Sequence, residues 1–360
     1  MSFKYTRRIS KSVKVGGIFI GGDSPVTVQS MTNTDTHDVK ATLAQVRALE
    51  EAGCDIVRLA VPDAEAAGIF PALKNAGVKI PLVADIHFDH RIAVACAEAG
   101  ADKIRINPGN IGSRENIAKV AKACAERNIP IRVGVNSGSL EKAMLGKYGS
   151  PTPEALAESA MTNVRILEEL DFSDIVVAIK SSSVPAMIAA NRILADMTDH
   201  PIHLGVTESG SEKNGVIKSS VGIGALLSEG IGDTVRVSLT ADPVREVEAG
   251  LTLLRAAGVR KDDHIEIVSC PTCGRTKIDL IALAGEFEKR ASKEIPRGVS
   301  LKVAIMGCAV NGPGDAREAD IGIAGGIGEV LLFKKGEPLF KVPEEKAIDV
   351  LIDEINKMIV

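Results

Sequence analysis

The heptapeptide Asp55-Ile56-Val57-Arg58-Leu59-Ala60-Val61 sets Val57, Leu59 and Val61 on one parity and an arginine on the other. Successive side chains of an extended chain point to opposite faces, so one face of this stretch is apolar and the other carries a cation. The pattern returns along the chain. Short apolar runs at 26–31, 55–61, 81–87, 103–107, 130–136, 174–180, 202–208 and 234–239 alternate with longer stretches of helical periodicity, such as Ala41, Leu43, Val46 and Leu49. Gly53, Gly77 and Gly100 close three of these stretches, where a left-handed C-cap is wanted. Eight strand–helix units in about 255 residues predict an α/β fold, a (β/α)8 TIM-type barrel.

Parity divides the strands chemically. Leu82, Ala84 and Ile86, Ile104 and Ile106, Ile131, Val133 and Val135, Ile175, Val177 and Ile179, and Val235, Val237 and Leu239 join Val57 and Leu59 on the side expected to pack on helices. The other parity carries Arg58, Asp85 with His87, Arg105 with Asn107, Arg132 with Asn136, Lys180, and Arg236 with Ser238 toward the strand C-termini. Barrel enzymes keep their active sites at that end. Arg58, Arg105, Arg132, Lys180 and Arg236 repel one another unless an anion neutralises them, and Asp85 and Glu208 are the only acids on the strand ends. Forked guanidiniums favour phosphate or diphosphate. Glu208 shares its parity with Leu204 and Val206, so it enters the mouth only if the strand stops early and the following Ser209-Gly210 turns it in. His203 is a second inward histidine, and residues 137–150 read as a Ser- and Gly-rich insertion.

The chain of 360 residues is long enough for such a barrel (1–260) and a further domain (261–360). A formal net charge of -4 and 3% aromatic residues speak against a nucleic-acid binder held by charge or stacking. No apolar run suits a signal peptide or a membrane span, so a cytoplasmic protein is expected, with its cysteines reduced. Residues 264–360 read as strand, helix, strand, short strand, hairpin and helix, a small α+β domain. Cys270-Pro271-Thr272-Cys273 follows its first strand, and Met306-Gly307-Cys308 its second. Three thiolates need one more ligand, for which Asp315 and His264 stand nearest in sequence. Zinc and an iron–sulfur cluster both suit such a set. Cys54, Cys96 and Cys124 sit singly in helical stretches and read as buried apolar residues.

The motif Cys270-Pro271-Thr272-Cys273-Gly274-Arg275, the motif Met306-Gly307-Cys308-Ala309-Val310-Asn311-Gly312-Pro313-Gly314, and Gln29-Ser30-Met31-Thr32-Asn33-Thr34 together resemble the 4-hydroxy-3-methylbut-2-enyl diphosphate synthase family. The resemblance runs from about residue 5 to the C-terminus. It implies reductive ring opening and dehydration of 2-C-methyl-D-erythritol 2,4-cyclodiphosphate in isoprenoid biosynthesis, with a 4Fe-4S cluster and a flavodoxin or ferredoxin as electron donor. By position it implies Cys270, Cys273, Cys308 and Asp315 as cluster ligands, although the family usually has Glu at the last. It implies Arg58, His87, Arg105, Asn107, Arg132, Asn136, Lys180, Arg236 and Ser238 as the diphosphate-binding set, and Glu208 in proton transfer. The alternative is a phosphate-binding barrel aldolase or synthase with a structural zinc ribbon. A non-enzymatic scaffold with a zinc knuckle is a further rival. The eighth helix should return the chain to the barrel end opposite the mouth, which suggests a homodimer whose chains share sites, as the resemblance also implies.

Overall fold

The computed structural model describes residues 6–260, 263–296, 298–308 and 316–359. Two compact units divide at residue 260.

The first unit opens with an antiparallel hairpin, β1 (Val13–Val15) and β2 (Ile18–Ile20). Eight parallel strands follow: β3 (Thr27–Met31), β4 (Ile56–Ala60), β5 (Leu82–Asp85), β6 (Lys103–Ile106), β7 (Ile131–Asn136), β8 (Ile175–Lys180), β9 (His203–Leu204) and β10 (Thr234–Val235). They are paired in the order β8-β7-β6-β5-β4-β3-β10-β9, and a parallel bridge between Val177 and Ile202 closes the ring. The crossovers are α1 (Val39–Glu51), α2 (Ile69–Asn75), α3 (His90–Glu98), α4 (Pro108–Ile111) with α5 (Arg114–Ala125), α6 (Lys142–Tyr148) with α7 (Pro153–Glu168), α8 (Val184–Met197) and α9 (Glu212–Ser228), and α10 (Pro243–Ala256) follows β10. This is the expected (β/α)8 barrel. The apolar-parity residues of the strands lie in one core with the helices, including Val57, Leu59, Ile104, Val133, Val177 and Val235, all inaccessible to solvent.

Three features depart from the sequence reading. The runs 202–208 and 234–239 shrink to two paired residues each. Beyond Leu204 the backbone is crowded: a Cβ at Gly205 would lie 2.7 Å from Lys180 Nζ and 2.8 Å from the Arg236 carbonyl oxygen. The insertion at 137–150 is partly helical, with a 3-10 turn at Ser137–Ser139 and then α6. Its anchor is Glu141, whose carboxylate accepts from buried Ser159 at 2.6 Å and Asn163 at 2.9 Å, a pairing of residues about twenty apart that parity does not reveal.

The third feature is the N-terminal hairpin. Val13, Val15 and Ile20 form an apolar cluster with Ile56, Val83 and Val176, whose parity is that of Arg58, Asp85 and Lys180. Those strand residues face the barrel interior near the strand starts, so the hairpin plugs the floor. Arg260 then pairs with Asp55, which immediately precedes β4, at 3.2 Å, so the chain leaves this unit at the end opposite the strand C-termini.

The second unit has β11 (Ile265–Ser269), α11 (Leu280–Glu294), β12 (Leu301–Met306), β13 (Ile321–Gly325), β14 (Glu329–Lys334), β15 (Glu337–Pro343) and α12 (Ala347–Ile359). The strands lie in sequence order; β11, β12 and β13 are parallel, and β14 and β15 return antiparallel. Phe287 and Leu283 of α11 and Leu351, Ile352 and Ile355 of α12 bury one apolar face with Val303, Ile305 and Ile323 of the sheet. This matches the small α+β domain read from the sequence.

Ile20 is wholly buried in the floor cluster. Ile20→Ala is expected to destabilise the barrel by about 2–4 kcal/mol, the cost of a core methylene loss plus its cavity. A wild-type midpoint in urea unfolding would show that the hairpin contributes nothing to the floor.

Candidate active site

The strand C-termini converge on a cavity of about 290 Å³, lined by Arg58, Asp85, His87, Arg105, Arg132, Asn136, Lys180, Arg236 and Ser238 among others. Eight of the nine residues expected to bind the diphosphate therefore share one space. Asn107 does not line it: that side chain is buried, and its oxygen accepts from the Gly109 N–H at 3.2 Å, capping α4. Thr207, inward by strand parity, lines the cavity, and so do Phe88, Asn110 of α4 and Ser139, which strand parity does not single out because they lie beyond the strand ends. Glu208 is exposed beside Thr207 and is not part of the lining; its backbone is left-handed, with φ +53°.

Two carboxylates hold three of the five cations. Asp85 meets Arg105 at 3.1 Å and Arg58 at 3.8 Å. Burial works against its ionised form, but Arg58, Arg105 and Arg132 overcome this and hold its pKa below the ordinary carboxylate range. The second carboxylate, Glu246 on α10, is a site residue that strand-based reasoning misses. It is buried between Pro243 and Val247, and it pairs with Arg236 at 3.2 Å. A charged residue on the apolar side of a helix is the signal that could have found it.

Among the described residues Arg132 and Lys180 have no carboxylate within ion-pair distance. Arg132 is 1% exposed, with Nε and Nη1 lacking hydrogen-bond partners. Burial, then Arg236, Arg132 and Arg58, push the pKa of Lys180 well down. Burial, helped by the neighbouring cations but opposed by Asp85, likewise lowers that of Arg58 to about 10. A bound anion reverses these penalties, because it supplies the missing acceptors and opposite charge together. Glycine makes the room: a Cβ at Gly134 would lie 2.8 Å from Arg105 Nε. Met31 adds a neutral contact, its sulfur accepting from Arg58 Nη2 at 2.8 Å.

Beneath the cavity the interior stays polar. Lys103 and Gln29 are fully buried, with Lys103 Nζ and both side-chain polar atoms of Gln29 unpartnered, and so are both ring nitrogens of His203. His203 is inward, as parity predicts, but it does not line the cavity.

In the second unit Cys270 follows β11 and Cys308 follows β12, its parallel neighbour. The Cys270 sulfur accepts from the Gly307 N–H at 3.2 Å, so the two loops touch. A Cβ at Gly307 would lie 2.9 Å from Thr276, which ties the close approach to glycine. Cys308 is buried and Cys273 is exposed. The Arg275 backbone N–H, and then its guanidinium, lower the Cys273 pKa and favour thiolate. The donor set is thus soft, with one thiol held by an amide and another biased toward thiolate, which fits zinc or an iron–sulfur cluster. Among the described residues no three His, Cys, Asp or Glu side chains are drawn together as a metal site. Asp315 and the 309–314 stretch of the second motif lie outside the described residues. His264 has other interactions. Cys54, Cys96 and Cys124 are buried in the barrel, where burial pushes each thiol up to about 12. No helix among the described residues is long and apolar enough to cross a membrane.

Fold and site together define a (β/α)8-barrel protein with a cation-lined mouth and a separate thiol-bearing α+β unit. The family model for the GcpE TIM-barrel domain matches residues 10–251, and that for the GcpE protein C-terminal domain matches 266–357. The chain belongs to the GcpE family. Among curated relatives, a protein of Clostridium perfringens is 59% identical over 352 residues, 97% of this chain and 99% of that one. One of Ruminiclostridium cellulolyticum is 58% identical over 352 residues, 98% of each. Both are named 4-hydroxy-3-methylbut-2-en-1-yl diphosphate synthase (flavodoxin). Among solved structures, type I 3-dehydroquinate dehydratase of Clostridium difficile is 14% identical with a TM-score of 0.52, covering 70% of this chain and 100% of that one, a likeness of barrel fold alone.

His203 generates a pH dependence. Burial first, then Arg132, Lys180 and Lys103, hold its pKa well below 6.5 in the folded chain. Below about pH 6.5 the unfolded chain takes a proton that the folded one refuses, so this histidine makes stability fall as pH falls. His203→Gln should lose less stability than wild type between about pH 7 and pH 5, by up to about 1.4 kcal/mol per pH unit. Equal losses in urea titrations at the two pH values would refute the assignment.

Proposed function

We propose that this protein reduces 2-C-methyl-D-erythritol 2,4-cyclodiphosphate to 4-hydroxy-3-methylbut-2-enyl diphosphate, in the isoprenoid route that the resemblance implies. The observation that carries the reading is the mouth itself, where Arg132 and Lys180 have no carboxylate partner among the described residues, in a cavity sized for a small diphosphate. Relatives at 58% and 59% identity over nearly their whole length, named for that product, support it.

The reaction consumes the cyclic dianion, two electrons and one proton, and yields the linear diphosphate trianion and water. Breaking the ring C–O bond leaves a further negative charge on the diphosphate. Arg132, Lys180, Arg105 and Arg58 then oppose more charge in the product than in the substrate, and in proportion they stabilise the transition state. His87, Asn136 and Ser238 line the same cavity and would offer further hydrogen-bonding groups to the ligand. Asn107 supports the rim through its α4 cap rather than by contact. Glu208, exposed at the rim and held in a left-handed turn, is the candidate to deliver the proton to the departing hydroxyl.

Cys270, Cys273 and Cys308, with Asp315 as the fourth ligand, would hold a 4Fe-4S cluster. When bound, the cluster would supply the two electrons of the reduction. A flavodoxin, as in the relatives' names, or a ferredoxin would reduce it. Residues 1–260 would thus serve as the substrate domain and 261–360 as the cluster domain, in a cytoplasmic homodimer whose chains share sites.

Anaerobic purification tests the cofactor. A brown protein with iron and acid-labile sulfide in near-equal amounts is expected, and Cys308→Ala should lose both; a colourless protein with one zinc would sink the reading. Arg132→Ala, with the cluster intact by absorbance, should lower kcat/KM for the cyclodiphosphate by at least about a hundredfold, since a charged hydrogen-bonding group is removed from a desolvated site. Turnover at the wild-type rate would show that the mouth is not where substrate binds.

A further inference from the structure

Glu246 makes four hydrogen bonds through one carboxylate. Oε2 accepts from Arg236 Nε at 3.2 Å and from the Ser30 hydroxyl at 3.0 Å. Oε1 accepts from Arg236 Nη2 at 3.2 Å and from the Leu239 N–H at 3.0 Å. The carboxylate is buried in the first turn of α10, where the helix dipole favours negative charge. Ser30 has the parity of Val26 and Val28, which face the helices, so this carboxylate reaches from the helical layer to an arginine that lines the cavity.

The geometry matters for Arg236 more than for the core. A guanidinium on a flexible stem loses rotamer entropy whenever it grips an anion, and a bidentate partner fixed in advance removes most of that cost. Glu246 takes the Nε–Nη2 edge. Met31 sulfur lies 3.7 Å from Nη1 on the other side. Nη1 donates one hydrogen to that sulfur; its other hydrogen and the outer hydrogen of Nη2 have no protein acceptor among the described residues and are left for a ligand. The bond to Leu239 N also fixes the chain just past Ser238, in a segment where the regular ladder has already ended at Val235.

We infer that Glu246 is a positioning residue for the anion site: it clamps Arg236 and the 236–239 segment so that the guanidinium presents its free edge to the diphosphate. This rests on the reading of the mouth as a diphosphate site. Glu246 touches no reacting atom.

A double-mutant cycle on the full-length protein tests it, with inorganic diphosphate binding by calorimetry and the unfolding midpoint measured in parallel. Glu246→Gln, which keeps the shape and loses the charge, should weaken binding by about tenfold, and it should change binding by less than about twofold in an Arg236→Ala background. A purely structural glutamate would lower the midpoint without this coupling. Equal losses in both backgrounds would mean that the carboxylate acts apart from Arg236, which overturns the inference. If Arg236→Ala weakens binding but Glu246→Gln does not, the positioning role alone falls. If Arg236→Ala binds diphosphate like wild type, the reading of the mouth falls and the inference with it. Glu246→Asp, retaining the charge with a shorter reach, supports the same cycle should Glu246→Gln fail to fold.

Discussion

Positive charge gathered in a low-dielectric barrel is the constraint on which the rest of this structure depends. Arg58, Arg105, Arg132, Lys180 and Arg236 approach one another at the strand C-termini, with Lys103 deeper in the interior. Left alone, such groups repel and lose hydration. Asp85 is held ionised by three arginines, Glu246 is brought in from a helix, and glycines at 134 and 205 leave space where any Cβ would strike a cation or backbone. Among the described residues the charges of Arg132 and Lys180 remain without a carboxylate partner.

That charge has to be confined to be useful. The hairpin β1–β2 covers the floor with Val13, Val15 and Ile20, so apolar side chains lie beneath the polar interior. Lys103 and His203 beneath the cavity, and Arg132 in its lining, carry nitrogens without hydrogen-bond partners. Each buried donor without a partner costs on the order of 1–3 kcal/mol. Stability has been given up in the barrel interior, and the apolar core between strands and helices carries the fold around it. In the second unit the same logic appears at smaller scale. Two parallel strands deliver cysteines to adjoining loops, and Gly307 permits the contact by which an amide supports the Cys270 sulfur.

Much of this was legible in the order of residues. Alternation in 55–61 and its seven repeats gives strand faces directly, because side-chain direction in a strand depends only on parity. Hence the barrel, the converging cations and inward His203 follow from the sequence, as do the succession of elements in the second unit and the cysteine loops. What parity cannot see is reach. Asn107 has the right face, yet its oxygen caps Gly109; Glu208 follows the right strand, yet it stands outside the cavity; Asn110 enters from α4 and Ser139 from a 3-10 turn.

The sequence by itself determined which side chains are charged and which way each strand turns them, since both are local properties. Only the tertiary structure decided which charges are paired. Glu246 is ten residues from Arg236 and more than two hundred from Ser30, and it meets both because α10 packs against β3. The hairpin likewise finds its place only once the strands have closed into a ring. Pairing and plugging depend on distances between segments far apart in the chain, and no local pattern encodes those distances.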